Sequence, residues 1–566
     1  MKLRFAVRFF ALLVLVCPVH AFALWTPNGV PLSTAVNVQQ WPAITTDGAA
    51  GAIVAWYDKR NGNNFDIYVQ RVNAMGQIMW ALDGIALCVA AHDQINPTIT
   101  SDGAGGAIVT WWDFRSGTDY DIYVQRVNAA GAVQWTANGV ALCTARNDQR
   151  YPVPTTDGAG GAIVAWDDIR SGGGDIDIYA QRISAAGVTQ WTADGVALCV
   201  QPYIEYVPAI LSDGVGGAFV TWADFRNGTD YDIYGQHING AGSTLWAANG
   251  LAICAGAQAS ALQSMATDQA GGAIVAWMDD RNGPDWDIYA QRVDAAGSAQ
   301  WTPGGAAICL AIDSQGTPAI ASDGSGGAII AWDDLRNPIT GRDIYAQRID
   351  DAGDTKWTLD GVPLCVVRQV QSETCIVPDA SGGAIVAWYD VRNGVDFDIF
   401  VQRVDAFGTP LWTINGVALC FAAESQFGPK IVSDSGGGAI VAWHDLRNGN
   451  YDIYAQRIGQ DGLIPTAVRD TPSFARVVLS LNAPNPFSDR TAMELDLPAD
   501  ARVKIEVHDV AGHLVRRAES LSLGAGAHRL SFDGRDDAGH PLASGVYFYS
   551  VRTLGETRMR KLTISR

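Results

Sequence analysis

The chain has 566 residues, 48% hydrophobic and 17% charged, with 61 Gly, 23 Pro and 19 Trp, a composition that excludes a disordered polymer and favours many short strands joined by tight turns. The net charge of −20 is uneven: residues 24–469 carry 23 basic against 47 acidic side chains, a net of −24. A body that acidic repels phosphate backbones and anionic lipid, so no nucleic-acid partner is expected.

At the N-terminus, Lys2, Arg4 and Arg8 precede the apolar run Phe9 to Val16, and Ala21 and Ala23 lie just before Leu24. This pattern reads as a secretory signal over 1–23, too short to span a bilayer. A lipoprotein reading centred on Cys17 competes, but Val14-Leu15-Val16 lacks the small residue usually wanted before such a cysteine. No later segment is long and apolar enough for a membrane helix, so the mature protein is expected outside the cytoplasm without a transmembrane segment.

Residues 24–462 are a repeat. Trp56, Trp111, Trp166, Trp222, Trp277, Trp332, Trp388 and Trp443 recur every 55 or 56 residues, and Trp25, Trp80, Trp135, Trp191, Trp246, Trp301, Trp357 and Trp412 keep the same interval. The second unit shows the elements in order: Pro97-Thr98-Ile99, a Gly-rich turn, Ala107 to Asp113, Asp121 to Val127, a turn at Ala130-Gly131, and Trp135 leading to Val140-Ala141-Leu142-Cys143. Four short strands per unit, with adjacent apolar residues such as Ile108 and Val109, predict sheets covered on both faces. Radial stacking satisfies this, so the fold class expected is all-β: an eight-bladed β-propeller. Trp25 to Leu32 supplies the fourth strand that the last unit lacks after Arg457, which predicts closure by the N-terminal strand and no open edge. An open β-solenoid is the alternative, and it needs caps that the sequence does not display.

The turn Asp294 to Trp301 resembles the tryptophan-docking repeat of quinoprotein-like eight-bladed propellers, which implies the scaffold only. Units of the form D-I-Y-A-Q-R followed by G-V-A-L-C also resemble repeats of bacterial secreted proteins, and no activity follows from that.

Residues 463–478, with Pro465 and Pro472, read as a linker. The module 479–566 contains Asn482-Ala483-Pro484-Asn485-Pro486-Phe487, Val503 to Val507 with Asp509 and Gly512, Phe532-Asp533-Gly534, Ser544 to Tyr549 and Lys561 to Ile564. Alternating apolar residues and Gly-centred turns predict a small β-sandwich. Those landmarks resemble the Ig-like C-terminal sorting domain of type IX secretion cargo, also described as a FlgD-type Ig-like domain; His508 stands where the family commonly has an aromatic. The resemblance implies an outer-membrane secretion machinery as partner, Gly545, Tyr547, Lys561 and Leu562 as sorting-tail residues, and a secreted or outer-surface location in a Gram-negative-type bacterium. An accessory Ig-like domain without a sorting role is the alternative.

A W-x-D-x-R element occurs in every unit: Asp58/Arg60, Asp113/Arg115, Asp168/Arg170, Asp224/Arg226, Asp279/Arg281, Asp334/Arg336, Asp390/Arg392 and Asp445/Arg447. A catalytic residue is needed once, not eight times, so these pairs are expected to fix turns. The acidic turn Asp279 to Asp287 makes calcium the one candidate cation, although the spacing is not an EF-hand and each turn carries its own Arg. No other cofactor or metal is expected. Cys88, Cys143, Cys199, Cys254, Cys309, Cys365 and Cys420 share one repeat position, taken by Ser33 at the start, and Cys365–Cys375 is the one pair considered for a bridge. His92, His237 and His444 fall in different units, and hydrolase signatures such as H-E-x-x-H and G-x-S-x-G are absent, so no catalytic residue is assigned.

Two positions vary where the repeat is otherwise constant. After the first Trp series come Tyr57, Trp112, Asp167, Ala223, Met278, Asp333, Tyr389 and His444; before each third strand come Phe65, Tyr120, Ile176, Tyr231, Trp286, Arg342, Phe397 and Tyr451. The candidate ligand-binding residues are the six aromatics of the second set, Phe65, Tyr120, Tyr231, Trp286, Phe397 and Tyr451, facing an extracellular glycan or protein. Packing between blades is the competing role. The function expected is binding or adhesion; the alternatives are a polysaccharide-acting hydrolase or lyase, favoured by a central cluster of non-repeat acids, and a structural surface-layer component.

Overall fold

Successive side chains of a strand point to opposite faces, so a strand buried along its whole length has to be covered twice. Ala107–Asp113 is such a strand: all seven residues are buried, including the adjacent Ile108 and Val109. The computed structural model describes residues 25–256, 260–465, 478–479, 482, 485–488, 490–497, 501–523, 526–553 and 556–566. The expected signal segment 1–23 and most of the expected linker, 466–477, lie outside the described residues.

The chain divides into two compact units, Met1–Ala467 and Val468–Arg566. In the first, the described residues form eight four-stranded antiparallel sheets, as in the order Gln94–Ser101, Ala107–Asp113, Asp121–Val127, Val140–Cys143. Consecutive sheets share cores, for example Ile53, Val69 and Leu87 with Val109 and Trp111. The first strands of successive sheets touch in series, and Gln426–Ser433 touches Gln39–Thr46. The arrangement is propeller-like, with the first strands innermost. The sheet of Gln426–Ser433 takes its fourth strand from far away in sequence: Val30–Ser33 pairs with Asp452–Ile458, Val30 opposite Ala455.

The repeat residues act as staples. Trp56 is fully buried and donates from Nε1 to Asp58 Oδ2 (2.9 Å), while Arg60 binds both oxygens of the same carboxylate and lies 3.7 Å from the centre of the Tyr68 ring. The Asp–Arg pairing recurs in all eight units. It also crosses between sheets, because Arg115 Nη2 donates to Cys88 Sγ of the preceding sheet (3.2 Å) and to Asn138 O (2.8 Å). The second Trp series docks each sheet on the next: Trp80 Nε1 and Arg71 Nη1 both donate to Ala129 O. In the fourth unit His237 replaces that Arg, with Nε2 3.0 Å from Asp213 Oδ2 and Nδ1 3.1 Å from Ala295 O.

The eight described cysteines are all free. The pair considered for a bridge is unbonded: Cys365 ends one sheet beneath Arg392 (3.2 Å), whereas Cys375 lies in the first strand of the next, with Sγ directed at Ala387 O.

The second unit contains a three-stranded sheet (Val478–Leu479, Thr491–Leu497, Gly526–Phe532) and a four-stranded sheet (Leu514–Leu523, Ala501–Asp509, Gly545–Thr553, Glu556–Ile564). Their inner faces enclose Leu495, Leu497, Val503, Tyr549, Val551 and Leu562, all fully buried.

Candidate ligand site at the start of the inner strands

Every inner strand begins with a β-bulge. In the first unit the register shifts between Gln40 and Ala43, and the same shift recurs in all eight sheets. The bulge puts its third residue in the left-handed region: Trp41 (φ 53°), Asn96 (51°), Tyr151 (52°), Val207 (54°), Leu262 (52°), Thr317 (43°), Glu373 (54°) and Gly428 (59°). For a residue with a Cβ this backbone costs about 1–2 kcal/mol. Glycine avoids the cost, yet it occupies one position of the eight. There, space is also tight, since a Cβ on Gly428 would lie 3.0 Å from His444 Cε1. The buried Gln39 side chain ties the strand start to the loop before it, donating to Val36 O and Asn37 O.

Three of these residues, Trp41, Asn96 and Tyr151, line a cavity of about 690 Å³ between the inner strands, together with Cys375, Lys430, prolines and isoleucines. Trp41 and Tyr151 are 50% and 49% exposed. Each lies against a ring beneath it: Trp41 is tilted against His444 at 5.9 Å, and Tyr151 meets Trp112 edge-on at 4.6 Å. His444 stacks on Phe427 (5.8 Å), and its Nδ1 is buried with no hydrogen-bond partner. Burial, and secondarily the Lys430 charge, pushes His444 down to about 4, so the ring is neutral at physiological pH.

Outside the lining of this cavity, a charged cluster is linked to Lys430 through Glu373. Asp333, 2% exposed, accepts hydrogen bonds from Thr317 Oγ1 and Arg342 Nη1. Glu373, in the next sheet, has its carboxyl raised by burial, opposed by Lys430 and reinforced by Asp333. Lys430 is exposed and makes no ion pair within 4.0 Å among the described residues. Its equivalents in the other units are Ala43, Thr98, Val153, Ala209, Ser264, Ala319 and Cys375.

The six aromatics expected to bind ligand lie at this same end of the strands, because Gln94 N at the start of one inner strand donates to Phe65 O of the preceding unit (2.8 Å). All six are half-buried, and five of them pack on aromatic neighbours: Phe65 on Tyr57, Tyr120 on Trp112, Tyr231 on Tyr206, Phe397 on Tyr389 and Tyr451 on His444. Trp286 is the sixth, its backbone N bonded to Ser314 Oγ. They support the rim from behind, and the more exposed rings belong to the bulges. Sequence reasoning passed over Trp41 although it is one of three tryptophans outside the two periodic series; the signal was present. Tyr151, Glu373 and Lys430 had no comparable marker.

The acidic turn considered for calcium is occupied by the chain's own donors: Arg281 binds Asp279, and Asn282 Nδ2 donates to Asp287 Oδ2 (2.7 Å). Cys199, Glu205 and Asp224 also bring ligand-type atoms within 4.8 Å of one another. Arg226 Nη2 already sits 2.5 Å from Asp224 Oδ2 and 3.3 Å from Cys199 Sγ, so the guanidinium holds the place a cation would take. In the second unit, Gly545 opens its strand, Tyr547 donates to Ala543 O (3.0 Å), Lys561 is exposed and Leu562 is fully buried.

Comparison with known proteins identifies the smaller unit. Residues 485–556 match the FlgD Ig-like domain. No curated protein matches the chain. Among solved structures, the chain is similar to an ulvan lyase of polysaccharide lyase family PL25, at 12% identity over 78% of this chain and 96% of that one, with a TM-score of 0.43. It is also similar to the α-L-arabinanase of Penicillium chrysogenum (14% identity, 56% and 94% covered, TM-score 0.30). A third is a protein of unknown function from Dyadobacter fermentans DSM 18053 (9% identity, 77% and 96% covered, TM-score 0.31). Identity this low and overlap this loose leave function to the site itself.

Proposed function

We propose that the first unit is an eight-bladed β-propeller of the quinoprotein-like kind, closed by its N-terminal strand, that binds a glycan at the mouth of the inner-strand cavity. In this reading the protein is a secreted or cell-surface binding and adhesion protein without catalysis of its own. Its FlgD Ig-like domain serves as the sorting module recognised by an outer-membrane secretion machinery of the type IX kind. The observation that carries the binding site is the set of bulges. Seven of eight hold a side chain at a backbone angle where glycine is free of strain, and two of those side chains are half-exposed aromatic rings flanking Asn96. Glycine aside, left-handed angles at the other turns fall mostly to Asn and Asp, which tolerate them, whereas the bulges carry two rings there, and strain held at such a position is one mark of a binding site. Aromatic faces beside an amide suit stacking on sugar rings, and the cavity volume falls in the range of about 300–1,000 Å³ usual for small-ligand sites.

The test is a glycan array with the full chain, comparing wild type with Trp41→Ala and Tyr151→Ala and using Tyr120→Ala as a supporting-ring control. Binding lost in the first two variants with thermal stability retained supports the site; glycan binding untouched by all three overturns it. A second reading rests on a specific observation: Asp333 and Glu373 are two non-repeat acids in adjacent sheets, each within electrostatic reach of the other. It makes the protein a polysaccharide-acting hydrolase or lyase. Release of new chain ends from a bound polysaccharide, abolished by Glu373→Gln, decides for it.

A further inference from the structure

Lys430 is a cation placed where the repeat otherwise puts a small side chain, and it is directed at a cavity walled by Trp41, Ile376, Ile431 and Cys375. Exposed and without an ion-pair partner among the described residues, its ammonium is free to take an anionic group of a ligand. Within the first unit the other lysines are engaged: Lys356 binds Asp350 at 2.9 Å, and Lys59 lies over the Phe65 ring at 5.1 Å. The repeat arginines are bound to Asp47, Asp58 and their equivalents. The acid in reach of Lys430 is Glu373, and the two form no ion pair within 4.0 Å. His444 adds no charge, because it is buried and neutral. The cavity therefore offers one unpaired positive charge beside two exposed rings, on a body whose net charge from 24 to 469 is −24.

We infer that the glycan taken by this cavity is an acidic one, with a carboxylate or sulfate of one sugar held by Lys430 while neighbouring rings stack on Trp41 and Tyr151. This rests on the glycan-binding reading above and names its ligand class. A single cation in an acidic surround selects sparse charge: it rewards one anionic group at one place, and the rest of the surface repels a dense polyanion.

The test measures affinity of the full chain for an oligogalacturonate and its methyl ester, and for a sulfated galactan oligosaccharide and its desulfated form. The variants are Lys430→Met, which keeps the apolar stem, Lys430→Arg, which keeps the charge, and Trp41→Ala. The expected result is that at least one acidic form binds about tenfold more tightly than its neutral partner. That preference shrinks with added salt, is lost in Lys430→Met and survives in Lys430→Arg, whereas Trp41→Ala weakens acidic and neutral forms alike. Which pair shows the preference separates carboxylate from sulfate. Equal binding of acidic and neutral forms, or a preference that persists in Lys430→Met, overturns the acidic ligand and leaves the glycan site standing. Absence of binding to all four overturns both.

Discussion

Arg60 Nη2 lies 3.4 Å from Ser33 Oγ, joining the first complete sheet to the strand that the N-terminus adds to the last. At the seven other seams the partner of this arginine is a cysteine sulfur at 3.0–3.3 Å. The seam with the longer contact is the one between the first sheet and the last. Beside it, Trp25, 1% exposed, and Arg457 both donate to Ala74 O, at 3.1 and 2.9 Å.

This seam gives the first prediction. Trp25→Ala removes a buried ring and a hydrogen bond and is expected to cost about 3–5 kcal/mol. Ser33→Cys, which installs the contact of the other seven seams, is expected to be neutral or to raise the melting temperature slightly. Thermal unfolding of the two variants checks both; a Trp25→Ala protein as stable as wild type contradicts the role of the seam.

Glu205 stands where six other units carry a buried Gln. It is fully buried, neither carboxyl oxygen has a hydrogen-bond partner within normal distance, and burial, reinforced by Asp224 and Asp177, pushes it up to about 9. A carboxyl whose folded value is raised above its ordinary 4.5 is protonated in the native state and ionised in the unfolded chain. The native state then binds more protons, and stability falls as pH rises from about 4.5 to about 9. Glu205→Gln removes that penalty and restores the amide that donates to loop carbonyls elsewhere. Its melting temperature is expected to exceed that of wild type by an amount that grows through this window, by several degrees at pH 9. A constant difference between pH 5 and pH 9 contradicts the assignment.

The same sign applies at Asp121, pushed up to about 7 by burial and then by the charges of Asp119 and Asp113. Asp121→Asn is expected to leave stability near wild type at pH 4 and to raise it at pH 8, by about 1 kcal/mol or more. Paired denaturant melts at the two pH values measure this.

The bulges make a stability prediction with an unusual direction. Leu262 is 45% exposed at φ 52°, so Leu262→Gly relieves backbone strain while giving up little burial. It is expected to be more stable than Leu262→Ala by about 1 kcal/mol, the reverse of the order in an ordinary strand. Equal stabilities imply that the left-handed angle is not maintained. Trp41→Gly is expected to follow the same order in stability while losing glycan binding.

Much of this architecture was legible because it is local and periodic. Two tryptophans per unit, the turn residues and the paired apolar positions predicted four strands per sheet and burial on both faces, and the chain folds so. The Ig-like module was legible for a related reason: its landmarks are spaced turns and alternating residues. The rim was not. Gln40-Trp41-Pro42 reads as a plain strand start, and nothing in the order of the residues announces a left-handed angle that arises when an inner strand accommodates its bulge. The six rings singled out from the sequence lie at the same end of the strands as the bulges, half-buried, and five of them pack on aromatic neighbours.

By itself the sequence determined which residues repeat, and so which contacts are made eight times over, since side-chain periodicity dictates what must be buried. Only the tertiary structure decided which of the non-repeating residues meet. Trp41, Tyr151 and Lys430 are separated by up to several hundred positions, and they share one cavity because the inner strands stand side by side around it.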